Sequence, residues 1–397
     1  MTGASRVVSI ALLICTAAFA ENRSLVVHEW GTFTSLQDET GRTIGGINSD
    51  DEPLPTFVHD LLGSRRNVVY LGKGLPGGTR QEVTMRLETP VMYFHSAPGA
   101  APQTIDVDVQ FHGGLLSQFY PAAITNIQVD KIFPSISNDT LGTLTWHNVQ
   151  IGTDGTGPKT DAHVWLAPRN VAAANVTANN GESERYLFYR GVGHIDAPII
   201  ATRDGSQLTF QLRSSTSLPI ERLWLAKFDS DGICHAVILP KLEWTGVSAP
   251  IPNNRRNDDL NLCALRDSMK RSLVSAGLFD DEADAMLSTW EKSYFKSAGL
   301  RLFYVVPREW TDQVLPLHVS RDAKVERVMI GRLEIVSPEQ REALLRIENM
   351  DNISNQMKLA WDSYASLGRF RTALLIDEYS RHGTSGLRQF VNLYGIE

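Results

Sequence analysis

The residues best suited to chemistry stand in two short runs. The first is His28-Glu29-Trp30-Gly31-Thr32. An imidazole beside a carboxylate can act as a general base or a metal ligand where a cleft shifts its proton affinity. Position 32 is not the second histidine that a zinc-protease helix needs, and the run reads as a strand rather than a helix. The second is Tyr189-Arg190-Gly191-Val192-Gly193-His194-Ile195-Asp196. On an extended chain His194 and Asp196 project to the same side. They can share a metal there, or Asp196 can orient the imidazole. The expected catalytic set is therefore His28, Glu29, His194 and Asp196. Within it His28, His194 and Asp196 are the expected ligands of a divalent metal, whose bound water supplies hydrolytic power.

A structural reading competes at each run. Alternation puts Leu25, Val27, Glu29 and Phe33 on one face of the first strand, with Val26, His28 and Trp30 on the other. A carboxylate among apolar side chains must be paired or neutral, which would make Glu29 half of an ion pair anchoring the strand. His194 and Asp196 would then be solvated loop residues beside turning glycines. Arg308 and Trp310, just after Pro307, form a further candidate for ligand binding, since a guanidinium beside an indole can hold an anion or stack on a ring. Their structural alternative is the first turn of a helix.

Other chemistries are excluded on context. Gly72-Lys73-Gly74-Leu75-Pro76-Gly77 matches G-x-G-x-x-G, yet it runs into Val83-Thr84-Met85-Arg86-Leu87, which reads as a strand. No helix N-terminus is available for a pyrophosphate, so no nucleotide cofactor is expected. Gly383-Thr384-Ser385-Gly386 is not a nucleophile elbow. The acidic runs at Asp50, Asp229 and Asp258 lack calcium-loop spacing. With 38 Lys+Arg against 45 Asp+Glu and no basic block, a nucleic-acid partner is not expected.

The elements that must position these residues divide the chain. Residues 1–20 read as a secretory signal peptide: Arg6, an apolar stretch from Val7 to Cys15, and a small-x-small site at Ala18-Phe19-Ala20. That stretch is shorter than the roughly 20 residues a membrane span requires, and no later segment is long and apolar enough. The expected location is secreted or periplasmic. From residue 21 to 250 short period-two segments alternate with turns, including hairpins at Asp204-Gly205 and Asp229-Ser230-Asp231-Gly232. From residue 251 to 397 the period becomes helical. One stripe ends at Gly277. A second starts at Asp280 or Asp281, carries Met286, Trp290 and Tyr294, and stops at Gly299. A capping box at Ser337-Pro338-Glu339-Gln340 opens the last helical region. The expected fold class is α+β: an antiparallel, β-sandwich-like N-terminal region, then an α-rich C-terminal part with a small β insert packed on it. Cys234 and Cys263, the cysteines left after signal removal, are either a disulfide or two separate thiols.

The opening His28-Glu29-Trp30-Gly31-Thr32-Phe33-Thr34, just after a signal peptide, resembles that of a family of secreted bacterial proteins with no assigned activity. Arg86-Leu87-Glu88-Thr89-Pro90-Val91, Tyr189-Arg190-Gly191-Val192-Gly193, and the stretch from Ala285 to Trp290 through Leu302 to Arg308 are similar to further signatures of that family. The resemblance implies a bacterial, exported protein and transfers no catalytic residue. The functional expectation is a hydrolase-like enzyme with a His/carboxylate site. Its alternative is a non-catalytic periplasmic binding or assembly module. N-terminal sequencing of exported material is expected to begin at Glu21; recovery of Met1, or of a lipidated Cys15, overturns the cleavage site.

Overall fold

Leu25–Gln37 is a strand of 13 residues in which every side chain except Val26 is buried. A strand buried on both faces belongs in the interior of a sheet. In the computed structural model, which describes residues 25–48, 53–61, 80–97, 99–127, 135–214, 218–253 and 260–394, it lies in mid-sheet. Across this 15-stranded sheet the order is Cys234–Leu239, Leu223–Phe228, Gly299–Val305, Ala323–Ile335, Leu25–Gln37, Met85–His95, Leu187–Gly193, Gly114–Tyr120, Leu141–Ile151, Gln103–His112 and Leu317–Val319. The fold is α+β.

The strands read as a β insert are interior strands of the main sheet. Ala323–Ile335 runs parallel to Leu25–Gln37 along its whole length, from Leu25 opposite Ala323 to Gln37 opposite Ile335. A parallel pair needs a long crossover, and nearly the whole chain separates these two. The chain after residue 250 therefore completes the sheet as well as packing helices on it.

Alternation along Leu25–Gln37 is as the sequence requires. Val27 and Phe33 join a core shared with Leu87, Leu225 and Phe210. A second sheet of Ile199–Asp204, Gln207–Leu212 and Val247–Pro250 contributes to that core. Trp30 faces the other way, into a core built with the helices His163–Arg169, Leu262–Ser275 and Asp280–Thr289. A third core lies among Pro338–Glu348, Met357–Ser366, Arg371–His382 and Ser385–Tyr394, closing over Leu36 and Val336. Both hairpins form, with Gly205 and Gly232 at φ +57° and +83° in their turns.

Three local expectations are refined. The helix from Asp280 stops at Thr289 and continues as a π-helical turn, Glu291–Lys296, in which Tyr294 and Phe295 are both buried. Its N-terminus is capped by Glu282, whose carboxylate accepts from the Phe279 N–H at 2.7 Å. Cys234 is buried and Cys263 exposed, and both are free thiols. Burial pushes the Cys234 thiol up to about 12. The signal segment and Gly72–Gly77 lie outside the described residues.

A buried ionic cluster ties the C-terminal helices to the sheet. Glu88 pairs with Arg86 at 3.1 Å and with Arg369, in the turn before Arg371–His382. Glu334 takes Arg301 at 2.6 Å and Arg332 at 2.5 Å. Burial alone would raise both carboxyls. The guanidiniums of Arg369, Arg86 and Arg332 outweigh it at Glu88, as Arg301 and Arg332 do at Glu334, and both stay below the ordinary 4.5. Desolvation, partly offset by Glu334, brings Arg301 down to about 10.

Two outcomes follow for stability. Trp290 is 4% exposed, stacked on Tyr294 at 5.1 Å and edge-on to Trp30 at 5.3 Å. Trp290→Ala is expected to cost about 3–5 kcal/mol in urea unfolding; an unchanged midpoint would put the ring outside the core. Because Glu88 and Glu334 have depressed folded values, their stabilisation is complete above the unfolded carboxylate range and disappears as pH falls through those values. Glu88→Gln should lower stability near neutrality by about 3–5 kcal/mol and flatten the acid limb of stability against pH. A limb as steep as the wild type's would show that Glu88 does not drive acid unfolding.

Candidate functional site

The expected site residues separate. His28 sits opposite Tyr93 on Met85–His95, whereas Gly193, the residue before His194, sits opposite Met85 at the other end of that strand. At roughly 3.3 Å per residue, His28 and His194 are about 25 Å apart along the strand direction. The set of His28, His194 and Asp196 cannot ligate one ion. His194 donates from Nδ1 to the Glu82 carbonyl at 2.7 Å. Asp196 accepts from Thr43 Oγ1 at 2.5 Å and lies 3.4 Å from Arg213, with its side chain 49% exposed.

Glu29 takes the structural role. Fully buried on the face opposite His28, it accepts from the Tyr189 hydroxyl and from Arg327 Nε at 2.5 Å. Arg327 reaches on to Asp312 at 2.8 Å. Burial would weaken the Arg327 charge, but Glu29 beside it raises its proton affinity above that of a free guanidinium. Tyr189 is held well above the ordinary phenol value by burial and by Glu29. Arg308 and Trp310 do not form a binding pair either. Arg308 bonds Asp312 one turn on, at 2.7 Å, and the Val325 carbonyl at 3.1 Å. Trp310 is turned inward, edge-on to Phe33 at 5.0 Å.

His28 does have partners that chemistry can use. Its Nδ1 donates to Glu282 Oε2 at 2.7 Å, and His95 Nε2 donates to Glu282 Oε1 at 2.9 Å. The imidazoles meet edge-on at 5.1 Å, and the Phe279 ring lies over both, at 4.5 Å and 4.7 Å. Glu282 has no exposed surface; His95 is the more open ring, at 12% against 2% for His28. Burial would raise the Glu282 carboxyl, but hydrogen bonds from His28 and His95, with that from Phe279 N–H, hold it below the ordinary value. One ligand atom from each of His28, His95 and Glu282 lies within 4.8 Å of the others, so the trio can hold a metal.

Sequence reasoning reached His28 and missed the other two. His95 closes a segment correctly read as a strand, and its register beside His28 is what brings the rings together. Glu282 follows Asp280 and Asp281 in a first helical turn, where acids are ordinary. Nothing local separates it from its neighbours, and it stands 254 positions beyond His28.

No family model matches the chain, and no curated protein matches it. Among solved structures, the Fcho1 Mu homology domain of Danio rerio with bound Eps15 peptide is 8% identical at a TM-score of 0.27, covering 79% of this chain and 94% of that one. The yeast delta-COP-I mu-homology domain complexed with Dsl1 WxWxV peptide is 9% identical at 0.25, covering 79% and 97%. Scores this low establish no common fold, and nothing about function is taken from them.

Proposed function

We propose that this is an exported bacterial protein with hydrolase-like activity, centred on a divalent metal held by His28, His95 and Glu282. One observation carries the reading: two imidazoles and a carboxylate, from two neighbouring strands and a helix, come within 4.8 Å of one another in a buried setting. Three protein ligands leave a coordination position for water, the arrangement of hydrolytic zinc sites. An ion held by His28, His95 and Glu282 would supply an acidified water for hydrolysis of a carbonyl or phosphoryl ester. Each imidazole must offer a bare nitrogen to the ion, so metal and proton compete for it.

A second reading is favoured by the closure of the same network. Both Glu282 oxygens already accept imidazole N–H groups, and Oε2 also accepts from the Phe279 N–H. In a non-catalytic binding or assembly module, this trio pins Asp280–Thr289 to the sheet.

Metal analysis after dialysis against zinc or manganese, with hydrolysis of p-nitrophenyl acetate and bis(p-nitrophenyl) phosphate, separates the two. The hydrolase reading expects bound metal, turnover, and loss of both in Glu282→Gln. Removing a ligand should cost at least the roughly 10–100-fold in affinity that loss of an outer-shell partner does. Metal without turnover of either ester favours the module. Metal content identical in wild type and Glu282→Gln rules out this centre.

A further inference from the structure

A separate cluster stands where two helices end. Pro338–Glu348 finishes on Glu348, and Arg371–His382 finishes on His382, one turn beyond Glu378. A helix C-terminus is the negative end of its macrodipole and favours cations. Here it meets two carboxylates instead. His382 Nδ1 lies 3.0 Å from Glu348 Oε1 and 3.4 Å from Glu378 Oε1. Glu378 is 1% exposed, and its Oε2 accepts from Arg341 at 2.7 Å. Its Oε1 is buried and accepts no hydrogen bond, a costly state for a carboxylate oxygen.

The neighbouring cations do not resolve this. Arg341 is shared with Glu39 at 2.9 Å. Arg381, on the same helix, is directed to Asp38 at 3.6 Å and Asp377 at 3.9 Å. The negative helix ends, Glu348 and the bare oxygen of Glu378 therefore converge on one space, with His382 as the side chain able to serve there as donor or ligand.

We propose that Glu348, Glu378 and His382 bind a divalent metal ion of the zinc or manganese class, distinct from any ion at His28. One ligand atom from each lies within 4.8 Å of the others. Two carboxylates and an imidazole suit those ions, and binding gives Glu378 Oε1, which accepts no hydrogen bond, a direct partner. His382 is 38% exposed, so water completes the shell from the solvent side. The ion ties the ends of the two helices together beside the existing bond from Thr384 Oγ1 to the Glu348 carbonyl, 3.1 Å. Its role is to clamp the helical layer, and its binding raises the stability of the folded chain by mass action.

Equilibrium dialysis of the full chain against zinc, followed by metal analysis and thermal unfolding with and without zinc, tests the proposal. Wild type should bind zinc at this site and unfold at a higher temperature when loaded. His382→Ala should keep its secondary structure, lose one equivalent of zinc, and lose this site's share of the zinc-dependent rise in midpoint. Should that variant fail to fold, Glu348→Gln is read in the same way. Zinc content and zinc-dependent midpoint unchanged by the substitution would overturn the site and leave His382 as a hydrogen-bonding partner of the carboxylates; so would absence of bound zinc in wild type. Glu282→Gln reads the His28 centre alone, so the failure of either site is told apart from the failure of the other.

Discussion

A strand covered on both faces has no solvent to satisfy its polar side chains, and Leu25–Gln37 carries several. Each therefore needs a partner inside the protein. His28 takes Glu282 from a helix. Glu29 takes Tyr189 and Arg327 from two strands. Thr32 meets Tyr294 in the π-helical turn, and Thr34 bonds Glu88 at 2.9 Å. Gln37 reaches the smaller sheet, donating to the Ile199 carbonyl and accepting from the Ala201 N–H, both at 2.9 Å. The helices that pack on Trp30 and the smaller sheet are thus fastened to this strand by directional bonds, and the C-terminal helices are tied in one step removed, through Glu88 and Arg369. Such bonds contribute little net stability when made and cost far more when broken, so they act mainly by fixing which element packs where.

This explains what could be read from the sequence and what could not. Alternation along the first strand, the turns at Gly205 and Gly232, the capping box at Ser337 and the α+β class are local properties, and they stand. The sheet order is not local. Leu25–Gln37 pairs with Ala323–Ile335 because the other neighbouring strand, Met85–His95, occupies only one of its edges, and no period in the sequence announces a parallel partner across that separation. The candidate site failed for the same reason. His194 and Asp196 are plausible ligands by spacing, but spacing within one segment cannot say which end of a strand faces which end of its neighbour. Trp310 misled differently: an indole beside an arginine reads as a binding pair until the helix turns one inward and the other outward.

The two faces of the first strand give His28 and Glu29 different surroundings, the structural one for Glu29 and one with metal-ligating neighbours for His28. Glu29 is matched by a guanidinium and a phenol that leave it no further work to do. Its neighbour, pointing to the opposite face, meets a carboxylate already shared by His95 and by a backbone N–H. A closed ion pair between unlike charges is saturated. The carboxylate of Glu282 is also fully hydrogen-bonded, but two of its partners are imidazoles, whose nitrogens are metal-ligand atoms.

That difference bears on how Glu282 can serve structure and chemistry together. The carboxylate caps its own helix through the Phe279 N–H, and the same interaction fixes the rotamer that presents it to both imidazoles. The Phe279 backbone is held by that cap, and its ring packs against both histidines. A ligand fixed by a backbone hydrogen bond loses little freedom on binding an ion, which is the condition for a preorganised site. One helix start therefore both orients the carboxylate and packs a ring against the two imidazoles.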